Sequence, residues 1–157
     1  MKLIRMTFFT LAASCAMFAE CIPGGLAVVV NKANPTESLS PAQLRRIILA
    51  EIRTWPDHKP VSLVSRDAAS DAGKCMLSEV VRMNDAEYHR YLLSVEFRGG
   101  EAVTVRNADS GLNAAKLVAS APGAIAVVEA SALPAIASTV KAVKISGKLP
   151  GESGYPF

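Results

Sequence analysis

The chain has 157 residues, with 17 Lys and Arg against 14 Asp and Glu, and half of its residues are hydrophobic. That apolar fraction with a small net charge excludes a disordered chain, and three cysteines are too few for a disulfide-dense mini-protein. The slight basic excess fits neither binding to a nucleic-acid backbone nor docking on an acidic membrane surface.

Residues 1–19 read as an export signal. Lys2 and Arg5 supply a positive start, and residues 6–19 carry no charge. The uncharged run is shorter than the about 20 residues that a bilayer span needs. Cleavage after Ala19 leaves residues 20–157 as one domain, exported to the periplasm, with basic residues exceeding acidic ones by one. A lipoprotein signal, with Cys15 lipidated after Ala12, Ala13 and Ser14, is the alternative. Cys21 and Cys75 then remain in an oxidising compartment. Either they form a disulfide closing a loop of about 54 residues, or Cys75 is a buried apolar residue and Cys21 a free thiol; spacing alone leaves both readings open.

From residue 26 onward, strands alternate with helices. The valine-rich run at 26–30 predicts a strand buried on both faces, and Asn34-Pro35 marks the loop that follows. Ser40, Pro41 and Gln43 form a capping box with Pro at the first helical position, flanked by the Leu39 and Leu44 staple. Leu44, Ile47 and Ile48 give that helix one apolar face. Trp55-Pro56-Asp57 breaks the pattern, and residues 61–65 predict the next strand. Ser70 caps a helix predicted to run to about Met83, with Ala72, Met76, Val80 and Met83 on one stripe. Asn84 and Glu87 open another helix through Tyr88, Tyr91, Leu92 and Val95. Arg98-Gly99-Gly100 reads as a loop and residues 102–106 as a strand. Asp109 or Ser110 caps a helix to about Ser120, Pro122-Gly123 turns the chain into a strand at 124–128, and residues 140–145 form the last strand. This alternation predicts an α/β layered fold.

A search for chemistry eliminates most enzyme classes. His58 and His89 have no Cys, His or carboxylate at metal-ligand spacing, so both read as solvated residues. No nucleophile elbow and no glycine-rich nucleotide loop occurs. Asp67 and Asp71 form an acidic pair that suits a solvated loop. One constellation has a mechanism: Arg66 follows a strand and Ser70 begins a helix. A helix start offers unpaired N–H groups and the positive end of its dipole, and an arginine fork pairs two oxygens of one anion. Plain helix capping by Ser70 is the competing reading.

Several segments, in order, resemble one family. These are the strand at 26–30 followed by Asn31, then Leu39-Ser40-Pro41-Ala42-Gln43-Leu44, Trp55, the Arg66 to Ser70 loop, Pro122-Gly123-Ala124-Ile125-Ala126-Val127, and Gly154-Tyr155-Pro156-Phe157. Together they are similar to phosphate-binding proteins of ABC transporters. The resemblance implies one lobe of a class II periplasmic binding protein: a three-layer sandwich around a mixed, mostly parallel sheet, without its first lobe. It implies phosphate or another small oxyanion as ligand, no cofactor and no metal. It places Arg66, Ser70, Asp71 and Ala72 in the ligand loop. The family continues Ser-Gly-Thr where this chain has Ser70-Asp71-Ala72, so a hydroxyl is lost and a negative charge gained. The implied partners are a transporter permease or other envelope protein, or a second copy in a homodimer. The alternative is a non-catalytic envelope interaction module that has lost its ligand.

Overall fold

A computed structural model describes Cys21, residues 25–98 and residues 103–157. The export segment 1–19, Cys15, the Gly99-Gly100 loop and the start of the strand expected at 102 lie outside the described residues.

Six strands form one sheet: β1 (Leu26–Val30), β2 (Ser38–Leu39), β3 (Ser62–Arg66), β4 (Thr104–Ala108), β5 (Ala124–Glu129) and β6 (Lys141–Ile145). Their spatial order is β2-β6-β1-β5-β3-β4. β1 runs antiparallel to both β5 and β6, while the pairs β2–β6, β3–β4 and β3–β5 are parallel. The sheet is therefore mixed and mostly parallel, as expected.

Helices α1 (Pro41–Ile48), α2 (Asp71–Cys75) and α3 (Asp85–Phe97) cover one face, and α4 (Gly111–Ala119) and α5 (Leu133–Ile136) the other. The period of two in a strand explains why the central strands read as unbroken apolar runs. Leu26, Val28 and Val30 of β1 join Leu44, Ile47 and Met76 in one core, whereas Ala27 and Val29 join Ala114, Val118 and Ile136 in the other. β5 divides in the same way, with Ile125 and Val127 on the first face and Ala124, Ala126 and Val128 on the second.

Local chemistry fixes the helix starts. Gln43 N–H donates to Ser40 Oγ (3.1 Å) and Ser40 N–H donates to Gln43 Oε1 (2.8 Å), completing the predicted capping box. Asn84 and Glu87 do the same for α3, and Ser110 caps α4. Asn31, just past β1, donates from Nδ2 to the carbonyls of Val118 and Ala119, satisfying the last turn of α4. Trp55 Nε1 donates to Gly123 O (2.9 Å), pinning the turn before β5.

Four details depart from expectation. The helix after Ser70 is α-helical only to Cys75 and continues as a π-helical segment, Met76–Val81, ended by Arg82 with φ 56°. Its i→i+5 spacing aligns Met76 with Val81, and Met76, Leu77, Val80 and Val81 are all buried. Met83 lies beyond the helix, partly buried against the same core. β4 runs two residues later than predicted: it is an edge strand whose first four residues are exposed, so no burial pattern marked its start. β2 has two residues, too few for any periodicity; Leu39, expected only as a staple, also pairs with Ile145. α5 and the 3-10 turn before it, Ala130–Ala132, were not anticipated.

Candidate functional site

β3 lies between β4 and β5 and runs parallel to both, so the carboxyl ends of three strands converge. Their last residues are Ala108, Arg66 and Glu129. Carboxyl ends of parallel strands are the usual ligand-binding edge of open α/β sheets.

Arg66 ends the middle strand, and its side chain is only 7 % exposed. It reaches both neighbours. Nη2 donates to Glu129 Oε1 (2.7 Å), Nε donates to Glu129 Oε2 (3.4 Å), and Nη1 donates to Ala108 O (2.9 Å). The guanidinium thus holds a carboxylate in a two-oxygen fork and is itself held by the edge strand.

Between β3 and α2, the chain turns tightly. Asp67 Oδ1 accepts from Ala69 N–H (2.8 Å), and Asp67 O accepts from Ser70 N–H (2.9 Å) and Ser70 Oγ (2.6 Å). Ser70 Oγ also accepts from Gly73 N–H (3.0 Å), capping α2. Gly73 makes the turn sterically feasible: a Cβ there would lie 2.0 Å from Asp67 O. Asp71 is the exposed first residue of α2, and Ala72 is buried against the core.

The first turn of α2 meets Glu129. The backbone N–H of Ala72 faces the Glu129 carboxyl and helps to hold it low. The start of α4 is also close, since a Cβ built on Gly111 would lie 3.5 Å from Glu129 Oε2. Burial pushes the Glu129 carboxyl up, but the hydrogen bonds and charge of Arg66, with the backbone donors, outweigh burial and hold it below the usual value. Asp109, at the end of β4, is also held low, first by hydrogen bonds from Asn113 and Ser110 and further by the charge of Arg66. A cleft of about 780 Å³ opens beside this cluster, lined in part by Asp67, Tyr88, Asn107, Asp109 and Lys116.

Arg66, Ser70, Asp71 and Ala72 thus fall on one strand end and one helix start. Glu129 escaped the sequence reading. The available signal was a lone acidic residue closing an otherwise apolar strand. Cys21 and Cys75 are joined as a disulfide, with Cα atoms 5.5 Å apart, at the junction of α2 and the π-helical segment. His89 is exposed and sits beside Asp85, one turn earlier on α3, while His58 occupies a loop with φ 64°. Among the described residues no group of three or more His, Cys, Asp or Glu is placed to hold a metal, and no helix is long and apolar enough to cross a membrane.

A family model described as a PBP superfamily domain matches residues 21–154. The fold is similar to an ABC-type phosphate transport receptor from Vibrio cholerae, with TM-score 0.59 and 23 % identity over 80 % of this chain and 48 % of that one. It is similar to a protein from Clostridium perfringens solved with bound phosphate, with TM-score 0.61 and 22 % identity over 80 % of this chain and 46 % of that one. PstS from Borrelia burgdorferi gives TM-score 0.63 at 11 % identity, over 80 % of this chain and 49 % of that one. The chain spans about half the length of these structures.

Proposed function

The chain belongs to the PBP superfamily domain family, and from that premise we propose that it is an exported solute-binding lobe for phosphate or a similar small oxyanion. Its site is the carboxyl end of β3 with the first turn of α2. One observation carries this reading. The Arg66 fork already holds one oxyanion, the Glu129 carboxylate.

In this reading each residue has a role. Arg66 pairs two ligand oxygens. Ser70 turns its hydroxyl proton from Asp67 O to the ligand. Asp71 and Ala72 contribute backbone N–H groups, and the helix dipole adds to them. The exposed Asp71 carboxylate works against the ligand: a unit negative charge at about 4 Å costs ~1 kcal/mol in water, and more only where solvent is excluded. Taken alone, this lobe leaves the anion open to water, so its own affinity is modest, about 1 mM or about −4 kcal/mol. A second copy or an envelope partner such as a transporter permease would close the site. The role is binding, with no bond made or broken.

A second reading is a periplasmic interaction module without a small ligand. The same Arg66–Glu129 pair favours it, because the arginine fork is already filled.

Calorimetric titration of residues 20–157, disulfide intact, with orthophosphate at low salt separates the two. Oxyanion binding predicts heat with phosphate, weaker heat with sulfate, and loss of both in Arg66→Ala. No heat up to about 10 mM, corresponding to an affinity weaker than about −3 kcal/mol, would remove the first reading and leave the second.

A further inference from the structure

We infer that Glu129 is the resident occupant of the oxyanion site and the residue that sets its affinity, so that an external anion binds only as the Glu129 carboxylate leaves the Arg66 fork. The inference rests on the proposed oxyanion reading and adds the group that competes with the ligand.

Two of the three Arg66 bonds among the described residues go to Glu129, through Nε and Nη2. Glu129 fills the Nε/Nη2 fork, and Ala108 O engages Nη1 of the other, end-on fork, so a phosphate that takes two oxygens side-on must displace the carboxylate. The Ala72 N–H, a donor that a ligand at the start of α2 would use, lies on the side of the helix start that lowers the Glu129 carboxyl. A ligand and Glu129 therefore compete for one set of donors. Of the two partners, Arg66 is the fixed one: its side chain is 7 % exposed and the third bond ties it to Ala108 O. Glu129 is the movable one. Its side chain is 25 % exposed and it ends β5, where the chain passes into the 3-10 turn, so its carboxylate has a path to water. Gly111 leaves room beside Oε2 that a side chain at that position would fill.

The consequence is a specificity filter. An incoming anion must outcompete a carboxylate already held in place. Singly charged carboxylates gain little by the exchange. Phosphate, with more charge and more oxygens, gains most.

The test is a titration with inorganic phosphate of the full exported chain and of Glu129→Gln and Glu129→Asp. Glutamine keeps the shape and removes the charge, and aspartate retracts the charge by one methylene. The expected result is phosphate affinity at least about tenfold higher in Glu129→Gln than in the unaltered chain, a smaller gain in Glu129→Asp, and no binding in Arg66→Ala/Glu129→Gln. Should Glu129→Gln fail to fold, judged by circular dichroism, Glu129→Asp carries the test alone. If the unaltered chain binds phosphate and the Glu129 variants bind it no more tightly, the competition is overturned while the oxyanion reading stands. If neither the unaltered chain nor any Glu129 variant binds, both fall.

Discussion

Replacing Glu129 by glutamine should destabilise the fold more than replacing Arg66 by methionine. Glu129→Gln leaves a guanidinium that is 7 % exposed without its counter-charge. Removing one partner of a buried pair costs about 3–5 kcal/mol, because the remaining charge stays desolvated. The amide oxygen of glutamine keeps one acceptor for Arg66, so the lower end, about 3 kcal/mol, is expected. Arg66→Met removes the deeper charge and leaves a carboxylate that is 25 % exposed and so still reaches water. About 2 kcal/mol is expected there. The double variant should recover part of the loss, with a coupling of at least about 1 kcal/mol. Acidity should modulate the effect. The folded Glu129 carboxyl lies below its ordinary value. At neutral pH both states are ionised and the full contribution is present. As the pH falls through the ordinary carboxylate range, the unfolded chain takes up the proton first. The contribution then shrinks until the folded carboxyl is protonated too. Urea denaturation of the four proteins at neutral and acidic pH reads all of this. Additive single variants, or Arg66→Met the more damaging, would refute the reasoning.

Three further predictions follow the same physics. Gly73→Ala would stabilise an ordinary helix by about 1 kcal/mol, but here its Cβ would meet Asp67 O at 2.0 Å. It must push away the loop that Ser70 holds, so a net loss of about 1–3 kcal/mol is expected in a chemical melt. Cys75→Ser opens a loop with a sequence separation of 54, which the chain-entropy account values at about 4 kcal/mol; a reduced and an oxidised sample of the unaltered chain should differ alike. Trp55→Phe removes the bond to Gly123 O, a carbonyl that also accepts from Ser62 N–H. With that acceptor still satisfied, the loss should stay near 2 kcal/mol, mostly from the cavity.

How far these features could be read from the sequence depends on how local they are. The α1 capping box needs four consecutive residues, and those four residues announce it. β1 and β5 were legible because burial on both faces leaves an unbroken apolar run. Ser70 was legible as a cap and Arg66 as a cation at a strand end. Glu129 was not, because it stands 63 residues from Arg66 and meets it only through the strand order. β5 enters the sheet between β1 and β3, an order that no local signal encodes. The π-helical turn was hidden for a related reason. Its buried residues pair as Met76 with Val80 and Leu77 with Val81, both at i and i+4, and so match an ordinary α-helical face. The turn from Asp67 to Ser70, which packs against Gly73 of α2, looked like plain helix capping, because the close approach of Asp67 O to that glycine exists only in three dimensions.

The central claim is that an oxyanion site lies where Arg66 and the start of α2 meet Glu129. Mapping backbone amide and arginine Nε resonances during a phosphate titration tests it most directly. Shifts are expected to concentrate at Arg66 Nε and at the amides of Ser70, Asp71, Ala72 and Gly73, with a coupled change at Glu129 as its carboxylate is displaced. Shifts confined to another surface, or none at saturating phosphate, would contradict it.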